Sequence, residues 1–439
     1  MVNRYWLLGK NMQANSSQYL AHSSKLIAHS KKRKNSFRLS AMSYELSAIA
    51  LSAMGQPDNQ TEETTNSTAK NMNRALRIVI AGGGTGGHLF PGIAIAREFM
   101  TRNSATRINF VSTGNPLEKA VLSKAGFDLE SIQVAGIKGR GIWNQITSVL
   151  KIPGAILAAM AFLKRFSPDM VVGLGSYSAG PVVIGAWLMR VPIAIHEQNI
   201  LPGVTNRILA RFADRIFISF ENTRSRLNPV KVSWTGNPVR RELLEAADPT
   251  DDTAVGATGQ KRFTVLIIGG SQGAHRINMV MAEALEHLQD AEQLHFIHQT
   301  GEADEKSVAE AYGKKSVSAT AQAFFDNMAE QYQLADLIIC RAGATTVAEI
   351  TALGKAAIFI PFPHAADDHQ TLNAADLASD GAAELIQERE LDAQLLGAKI
   401  KHYLDHPEAL EQMAGRARRH GKPDAARNIV DDCYGLLTE

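Results

Sequence analysis

The chain has 439 residues, 45% hydrophobic and 21% charged, which is globular composition and more than one ordinary core holds. A formal net charge of +2 excludes a nucleic-acid binder held by bulk charge, and two cysteines, Cys340 and Cys433, exclude a disulfide scaffold or a cysteine-built metal site. No stretch approaches 18 uninterrupted apolar residues, so no transmembrane helix is expected.

The charge is unevenly spread. Residues 1–75 carry ten Lys/Arg against four Asp/Glu, including the run Lys31-Lys-Arg-Lys34, and the remainder carries 36 against 40. The first 75 residues show no sustained helical or strand period and read as a disordered basic extension. An organelle transit peptide, also basic and poor in acids, is the rival reading. A basic tail of this kind also suits anionic lipid.

From Leu76 onward apolar runs alternate with helical patterns. Strands are expected at 76–81, 107–111, 170–174, 192–196, 215–219 and 231–234, with helices between, for example 91–102 and 117–125. The polar stretch from Glu245 to Gln260 reads as a surface connection. A second series of strands is expected at 263–268, 294–298, 337–340, 356–360 and 383–386. Such alternation implies parallel sheets with helices on both faces and ligands at the carboxyl ends of strands. The expected organisation is a domain over 76–240, a linker over 241–260 and a second domain over 261–439. The last helical segment, roughly 406–437, is expected to pack back across the domain boundary.

Two glycine loops of one design stand at the heads of the two series, Gly82-Gly-Gly-Thr-Gly-Gly-His88 and Gly269-Gly-Ser-Gln-Gly-Ala-His275. Each follows an apolar run and opens a helix whose N-terminus suits a phosphate. The first spells G-x-G-x-x-G. NAD binding, however, needs an acid after the second strand, and Ser112-Thr-Gly-Asn115 stands there instead. What remains is an amide nest with room for a phosphate, followed by His88. That histidine is either a packed helix-start residue or a proton-transfer group. The second loop lacks Gly-Lys-Ser/Thr, so ATPase chemistry is not expected.

A third motif, Arg341-Ala-Gly-Ala-Thr-Thr-Val-Ala-Glu349, follows the strand at 337–340. Glu349 either caps its own helix or accepts the two hydroxyls of a ribose. Pro361-Phe-Pro-His-Ala-Ala-Asp-Asp-His-Gln-Thr-Leu-Asn373 offers hydrogen-bonding groups of the kind a sugar needs, and no Asp-x-Asp occurs to hold a metal. Gly175-Ser-Tyr-Ser-Ala-Gly-Pro181 and His196-Glu-Gln-Asn199 form polar clusters at strand ends in the first half. Ile152 to Leu163 is apolar, flanked by Lys151 and Lys164-Arg165 and preceded by Lys138, Arg140 and Trp143. Too short to span a bilayer, it is either a buried helix or a surface that lies on anionic head groups.

In this order, Gly83 to His88, Gly175 to Pro181, His196 to Asn199, Gly236-Asn-Pro-Val-Arg240, Gly269 to Ala274, Arg341 to Glu349, and Asp368-His-Gln370 with Asn373 resemble the MurG family of lipid-linked N-acetylglucosaminyltransferases. The resemblance covers about residues 76–430. It implies an α/β GT-B fold, two Rossmann-like domains with parallel sheets facing a cleft. It implies inverting transfer of N-acetylglucosamine from UDP-GlcNAc to the muramyl 4-hydroxyl of lipid I (undecaprenyl-diphospho-muramoyl-pentapeptide), giving lipid II. By the same analogy Thr85, Gly86, Gly87 and Asn199 lie near the donor sugar and acceptor diphosphate. Arg240 and Ser271 hold the UDP diphosphate, and Phe325 offers backbone contacts to uracil. Ala344, Thr345, Thr346, Val347 and Ala348 border the donor, Glu349 holds the ribose, and Gln370 the GlcNAc hydroxyls.

No cofactor or tightly bound metal is implied. The implied partners are UDP-GlcNAc, lipid I and an anionic membrane surface, with no nucleic acid, and the implied place is peripheral, on the cytoplasmic face of the inner membrane. His88 is the expected base, on position alone, with His196 and Glu197 as rivals. Other GT-B enzymes (a diacylglycerol glycosyltransferase or a UDP-GlcNAc 2-epimerase) and a non-catalytic nucleotide-sugar binder are the alternatives. Two residues depart from the family: Ser176 stands where a second glycine is usual, and Lys355 replaces the proline after Gly354.

Overall fold

A computed structural model describes residues 74–132, 142–246, 262–270, 273–288 and 291–438. The basic extension up to residue 73, Lys138 and Arg140, and most of the expected connection lie outside the described residues.

The first half runs β1 (Arg77–Ala81), α1 (Gly86–Arg102), β2 (Arg107–Ser112), α2 (Pro116–Ala125), β3 (Asp128–Ser131), α3 (Ile142–Phe166), β4 (Met170–Gly173), α4 (Ser176–Leu188), β5 (Ile193–Glu197), α5 (Val204–Leu209), β6 (Arg215–Ile218) and β7 (Val232–Trp234). The second half begins with α6 (Arg241–Ala246), β8 (Phe263–Ile268), α7 (His275–Ala284), β9 (Leu294–Gln299), α8 (Glu305–Lys314) and β10 (Ala319–Gln322). It continues with α9 (Met328–Leu334), β11 (Leu337–Cys340), α10 (Ala344–Leu353), β12 (Ala356–Phe359), α11 (His369–Ala378), β13 (Glu384–Leu385), α12 (Ala393–Asp405), α13 (Pro407–His420) and α14 (Ala425–Leu436).

Two parallel sheets result, one ordered β3-β2-β1-β4-β5-β6-β7 and the other β10-β9-β8-β11-β12-β13. The central strands are apolar throughout because helices cover both faces. In β1, Ile78 and Ile80 face a core with Leu89 and Phe99 of α1, while Val79 and Ala81 face another with Ala159 of α3 and Val183 of α4. The second sheet repeats this: Val265 and Ile267 pack on Ile277 and Met281 of α7, and Leu266 and Ile268 share a core with Val347 and Ile350 of α10. Strand order reverses between β1 and β4 and between β8 and β11. In doubly wound sheets that reversal opens the ligand crevice at the carboxyl ends. These are two Rossmann-like domains.

Two strands were not expected, β3 (Asp-Leu-Glu-Ser) and β10 (Ala-Thr-Ala-Gln). Both sit at sheet edges, where polar sequence is tolerated and no apolar run marks the strand. The apolar run 152–163 belongs to the longer helix α3. That helix buries Ala155, Ala159, Phe162 and Leu163 on one side and leaves Leu157 67% exposed on the other.

The chain passes between the domains twice. After β7, Val239 and Leu243 of α6 already belong to the second core. Near the end, α13 stays with that domain through Met413 and Ala417, whereas α14 inserts Ile429, Val430, Cys433 and Tyr434 into the first core. The Tyr434 ring lies 5.9 Å from that of Phe99, and its hydroxyl donates to the Arg74 carbonyl at 3.0 Å.

Candidate active site

The first glycine loop is shaped by close backbone approach. A Cβ on Gly82, whose φ is +127°, would meet the Gly175 carbonyl at 2.6 Å, so only glycine lets the β1 and β4 loops come together. The expected amide nest is partly filled from within. The Glu118 Oε1 accepts from the Gly84 amide and the Ser112 hydroxyl, both at 2.6 Å, and Oε2 accepts from Thr113 and the Asn115 amide. Burial pushes the Glu118 carboxyl up, but these four donors together outweigh it and hold it below the usual carboxylate range. At the α1 start the amides of Gly86 and Gly87 stand ahead of the first helical bonds, from His88 and Leu89 to the Thr85 carbonyl, and suit a ligand. Across the switch point, Ser176 has φ +65°, a conformation that favours glycine. Its hydroxyl lies 3.0 Å from that of Ser178.

The cluster at the end of β5 divides by the strand's two-residue period. Glu197 turns one way: its carboxylate accepts from the amides of Asn199 (2.9 Å) and Gly203 (3.1 Å) and from Asn206 Nδ2 (2.8 Å). Burial raises its pKa despite these bonds. His196 and Gln198 turn the other way, toward β4 and the first loop. His196 is fully buried, bonds the Gly236 carbonyl through Nε2 at 3.2 Å, and is pushed by burial down to about 4. Gln198 meets His88 Nδ1 at 3.2 Å. Burial lowers the His88 pKa, outweighing the contacts with Gln198 and the Leu174 carbonyl, and His369 across the cleft lowers it further. His88 is therefore neutral at neutral pH.

On the second domain, Glu349 projects from α10 and is only 5% exposed. Its Oε1 accepts from Arg240 Nη2 (2.9 Å) and Nε (3.3 Å), and its Oε2 accepts from the Tyr332 hydroxyl at 3.0 Å. The Arg240 guanidinium also lies 4.6 Å from the Phe90 ring centroid of α1. The two residues expected to grip different parts of the donor thus hold each other.

Thr345 donates its hydroxyl to the Gly87 carbonyl at 3.1 Å, bridging the helix starts of α10 and α1. Asn373 of α11 makes a second bridge: its Oδ1 accepts from the Ile200 amide (3.1 Å) and its Nδ2 donates to Asn199 Oδ1 (3.2 Å) and the Ala342 carbonyl (3.3 Å). Gln370 turns its amide oxygen onto the Phe362 amide at 2.9 Å. Phe325 is buried in the second core, its amide donating to Gln299 Oε1 at 3.3 Å. Lys355 gives its backbone amide to the Ile350 carbonyl and its ammonium to the carbonyls of Gln333 and Ala335, bonds that proline could not make.

The structure therefore gathers Thr85, Gly86, Gly87, His88, Asn199, Arg240, Thr345 and Glu349 along the facing sheet edges. Thr346 lies at the same helix start, half-buried. Ala344, Val347 and Ala348 of the same helix line an interdomain cavity of about 260 Å³ with Phe220, Trp234 and Asn237. Ser271 lies outside the described residues. Sequence reasoning missed Glu118 and Tyr332, and gave Gln198 no role of its own within the His196–Asn199 cluster. Gln198 alone left a signal, its two-residue spacing from His196 at a strand end. Among the described residues no cluster of three or more His, Cys, Asp or Glu is placed to hold a metal.

Comparison with known proteins bears on the family and the fold. The glycosyltransferase family 28 N-terminal domain matches residues 78–218 and the family's C-terminal domain residues 264–429. The chain is 44% identical over 365 residues (83% of it and 94% of the relative) to the UDP-N-acetylglucosamine--N-acetylmuramyl-(pentapeptide) pyrophosphoryl-undecaprenol N-acetylglucosamine transferase of Myxococcus xanthus. It is 45% identical over 363 residues to the enzyme of the same name from Syntrophus aciditrophicus, covering 82% of this chain and 99% of that one. The crystal structure of Acinetobacter baumannii MurG superposes with a TM-score of 0.64 at 32% identity, covering 81% of this chain and 98% of that one.

Proposed function

The chain belongs to glycosyltransferase family 28 as a MurG-type N-acetylglucosamine transferase, and from that premise we propose how its two sheet edges divide the reaction. The enzyme moves N-acetylglucosamine from UDP-N-acetylglucosamine to N-acetylmuramyl-(pentapeptide) pyrophosphoryl-undecaprenol. The donor sits on the second domain and the lipid-linked acceptor on the first.

One observation carries the division: the Thr345–Gly87 bond sets the α10 start against the residue next to His88. On the donor side, Arg240 leaves Glu349 for the diphosphate, and Glu349 is freed to accept the ribose hydroxyls. Gln370 turns to the sugar, and the Phe325 backbone borders the base. The α10 N-terminus and Arg240 stabilise the charge that grows on departing UDP. On the acceptor side, Gly86 and Gly87 offer amides and His88, uncharged, takes the proton from the attacking hydroxyl while UDP leaves the opposite face. His196 and Glu197 are already committed to internal bonds. Inversion at the anomeric carbon follows from a single displacement.

The exposed side of α3 supplies membrane contact. Lys151, Leu157, Ala158, Ala161, Lys164 and Arg165 face outward beside the buried ridge, so apolar groups meet the bilayer and cations its anionic head groups. No described helix is long and apolar enough to cross a membrane.

The test is product analysis with labelled UDP-N-acetylglucosamine and the lipid acceptor, wild type against His88→Ala. Glycosylated lipid from the wild type, and a lowered turnover at unchanged donor KM in the variant, support the reading. Epimerised free sugar with UDP, or unchanged turnover, contradicts it. Flotation with anionic vesicles tests the membrane face: Lys164→Glu with Arg165→Glu releases the protein if α3 docks there, and leaves it bound if it does not.

A further inference from the structure

The end of β5 holds a polar chain whose direction is dictated at both of its ends. Gln198 Nε2 lies 2.9 Å from the Leu174 carbonyl. A carbonyl only accepts, so the amide nitrogen must face it, and the reversed amide would set two oxygens against each other in a buried place. Gln198 is 2% exposed, so no solvent relieves such a clash. With the amide so turned, Oε1 is the atom 3.2 Å from His88 Nδ1. An amide oxygen also only accepts, hence Nδ1 carries the hydrogen. The second proton of Gln198 Nε2 points to His196 Nδ1 at 3.2 Å, which accepts it. His196 must then carry its own proton on Nε2, and that atom donates to the Gly236 carbonyl at 3.2 Å. Every donor in the chain meets an acceptor, the Leu174 carbonyl, which also lies against His88, closing it at one end and the Gly236 carbonyl at the other.

Resting on the reading of His88 as the base, we propose that Gln198 is a positioning residue that fixes His88 in its Nδ1–H tautomer, leaving Nε2 as the one atom able to take the acceptor's proton, with His196 anchoring Gln198 from behind. Without that constraint a neutral imidazole divides between two tautomers, and in one of them Nε2 already bears a hydrogen and cannot act as a base. The motif then has a physical meaning. His196, on β5, and Gln198, one residue past its end, turn the same way and serve the base, while Glu197 between them, turned the other way, ties down the loop after the strand. His196 is a support for the base.

The test uses full-length protein labelled with 15N-histidine. Long-range 1H–15N correlation reports the tautomer of each ring without turnover, the His88 signals being assigned by their loss in His88→Ala. The wild type is expected to show His88 with Nδ1 protonated and Nε2 bare, and an Nε2–H ring overturns the proposal at once, with no variant required to fold. Kinetics give the second reading. Gln198→Leu, which removes the acceptor, lowers kcat by about 10²-fold at unchanged KM for UDP-N-acetylglucosamine. In Gln198→Leu the spectrum is expected to show the Nε2–H form of His88 beside the Nδ1–H form. An unchanged His88 tautomer in Gln198→Leu means that Gln198 only packs, which refutes the proposal. Undiminished turnover in His88→Ala refutes the base reading instead, and the tautomer spectrum tells the two failures apart.

Discussion

His88 and His275 close glycine loops of the same design, yet the two rings live in opposite surroundings. His88 is the third residue of α1, half-buried between Gln198 and the Leu174 carbonyl, and held neutral. His275 is the first residue of α7, its side chain 76% exposed and 2.9 Å from an Asp304 carboxylate oxygen. The first helix begins two residues earlier relative to its glycines, which turns its histidine inward to the sheet edge. The second domain places its charges elsewhere, in the Arg240–Glu349 pair. A shared loop therefore sets where a histidine enters the fold, and its neighbours decide whether the ring turns in to the sheet edge or stands in solvent beside a carboxylate. One edge is neutral and suited to taking a proton, and the other is charged and suited to a diphosphate.

The contrast is broken most sharply by truncating each histidine. His88→Ala is expected to lower kcat by about 10³-fold with little change in donor KM, whereas His275→Ala, which removes a mostly exposed ring, changes either constant by less than about threefold. Steady-state kinetics on both variants decides. Comparable losses from both would mean that the loops, and not their surroundings, define the site.

Acid should find the neutral edge first. His196 ionises at 6.5 when unfolded and at about 4 when folded, so the unfolded chain takes up a proton that the native chain refuses. Stability is unaffected above pH 6.5 and falls as pH drops toward 4, by about 3 kcal/mol from this group. Denaturant unfolding between pH 7.5 and 4.5, compared with His196→Gln, measures it. An unchanged pH slope in the variant would show that His196 is not the group responsible.

The charged edge is probed by Glu349→Gln, which weakens the pair with Arg240 and removes the carboxylate proposed to hold the ribose. Loss of a charge-assisted bond of about 1.5–3 kcal/mol raises donor KM by roughly ten- to a hundredfold, with a smaller effect on kcat. If kcat falls and KM stays, the donor is not held there. The mildest expectation concerns Ser176→Gly. Relief of φ +65° is offset by a more flexible unfolded chain and the lost Ser178 contact, so stability changes by less than about 1 kcal/mol and kcat is unaltered. Thermal unfolding and a single assay suffice, and a large loss would give that hydroxyl a role in the site.

Much of this was legible from residue order alone. Apolar runs followed by glycines marked β1 and β8, because strands buried on both faces have no room for polar residues. Motifs at strand ends pointed to the crevice. The edge strands β3 and β10 were hidden by polar sequence, and the α3 boundary by an apolar segment that covers only half the helix. Side-chain partners were the least accessible. Glu118 reaches the Gly84 amide from 34 residues away, and Tyr332 meets Glu349 from a different helix, so no local pattern could announce either. His88 was singled out for its place after a glycine loop, but His275 shares that place. Only the three-dimensional neighbourhood separates them.

The most direct measurement is a crystal structure of the enzyme with UDP-N-acetylglucosamine. The account predicts the diphosphate on Arg240, the ribose on Glu349 with the Arg240–Glu349 pair opened, and the sugar facing His88 across the cleft. A nucleotide seated in the first glycine loop, with that pair intact, would contradict it.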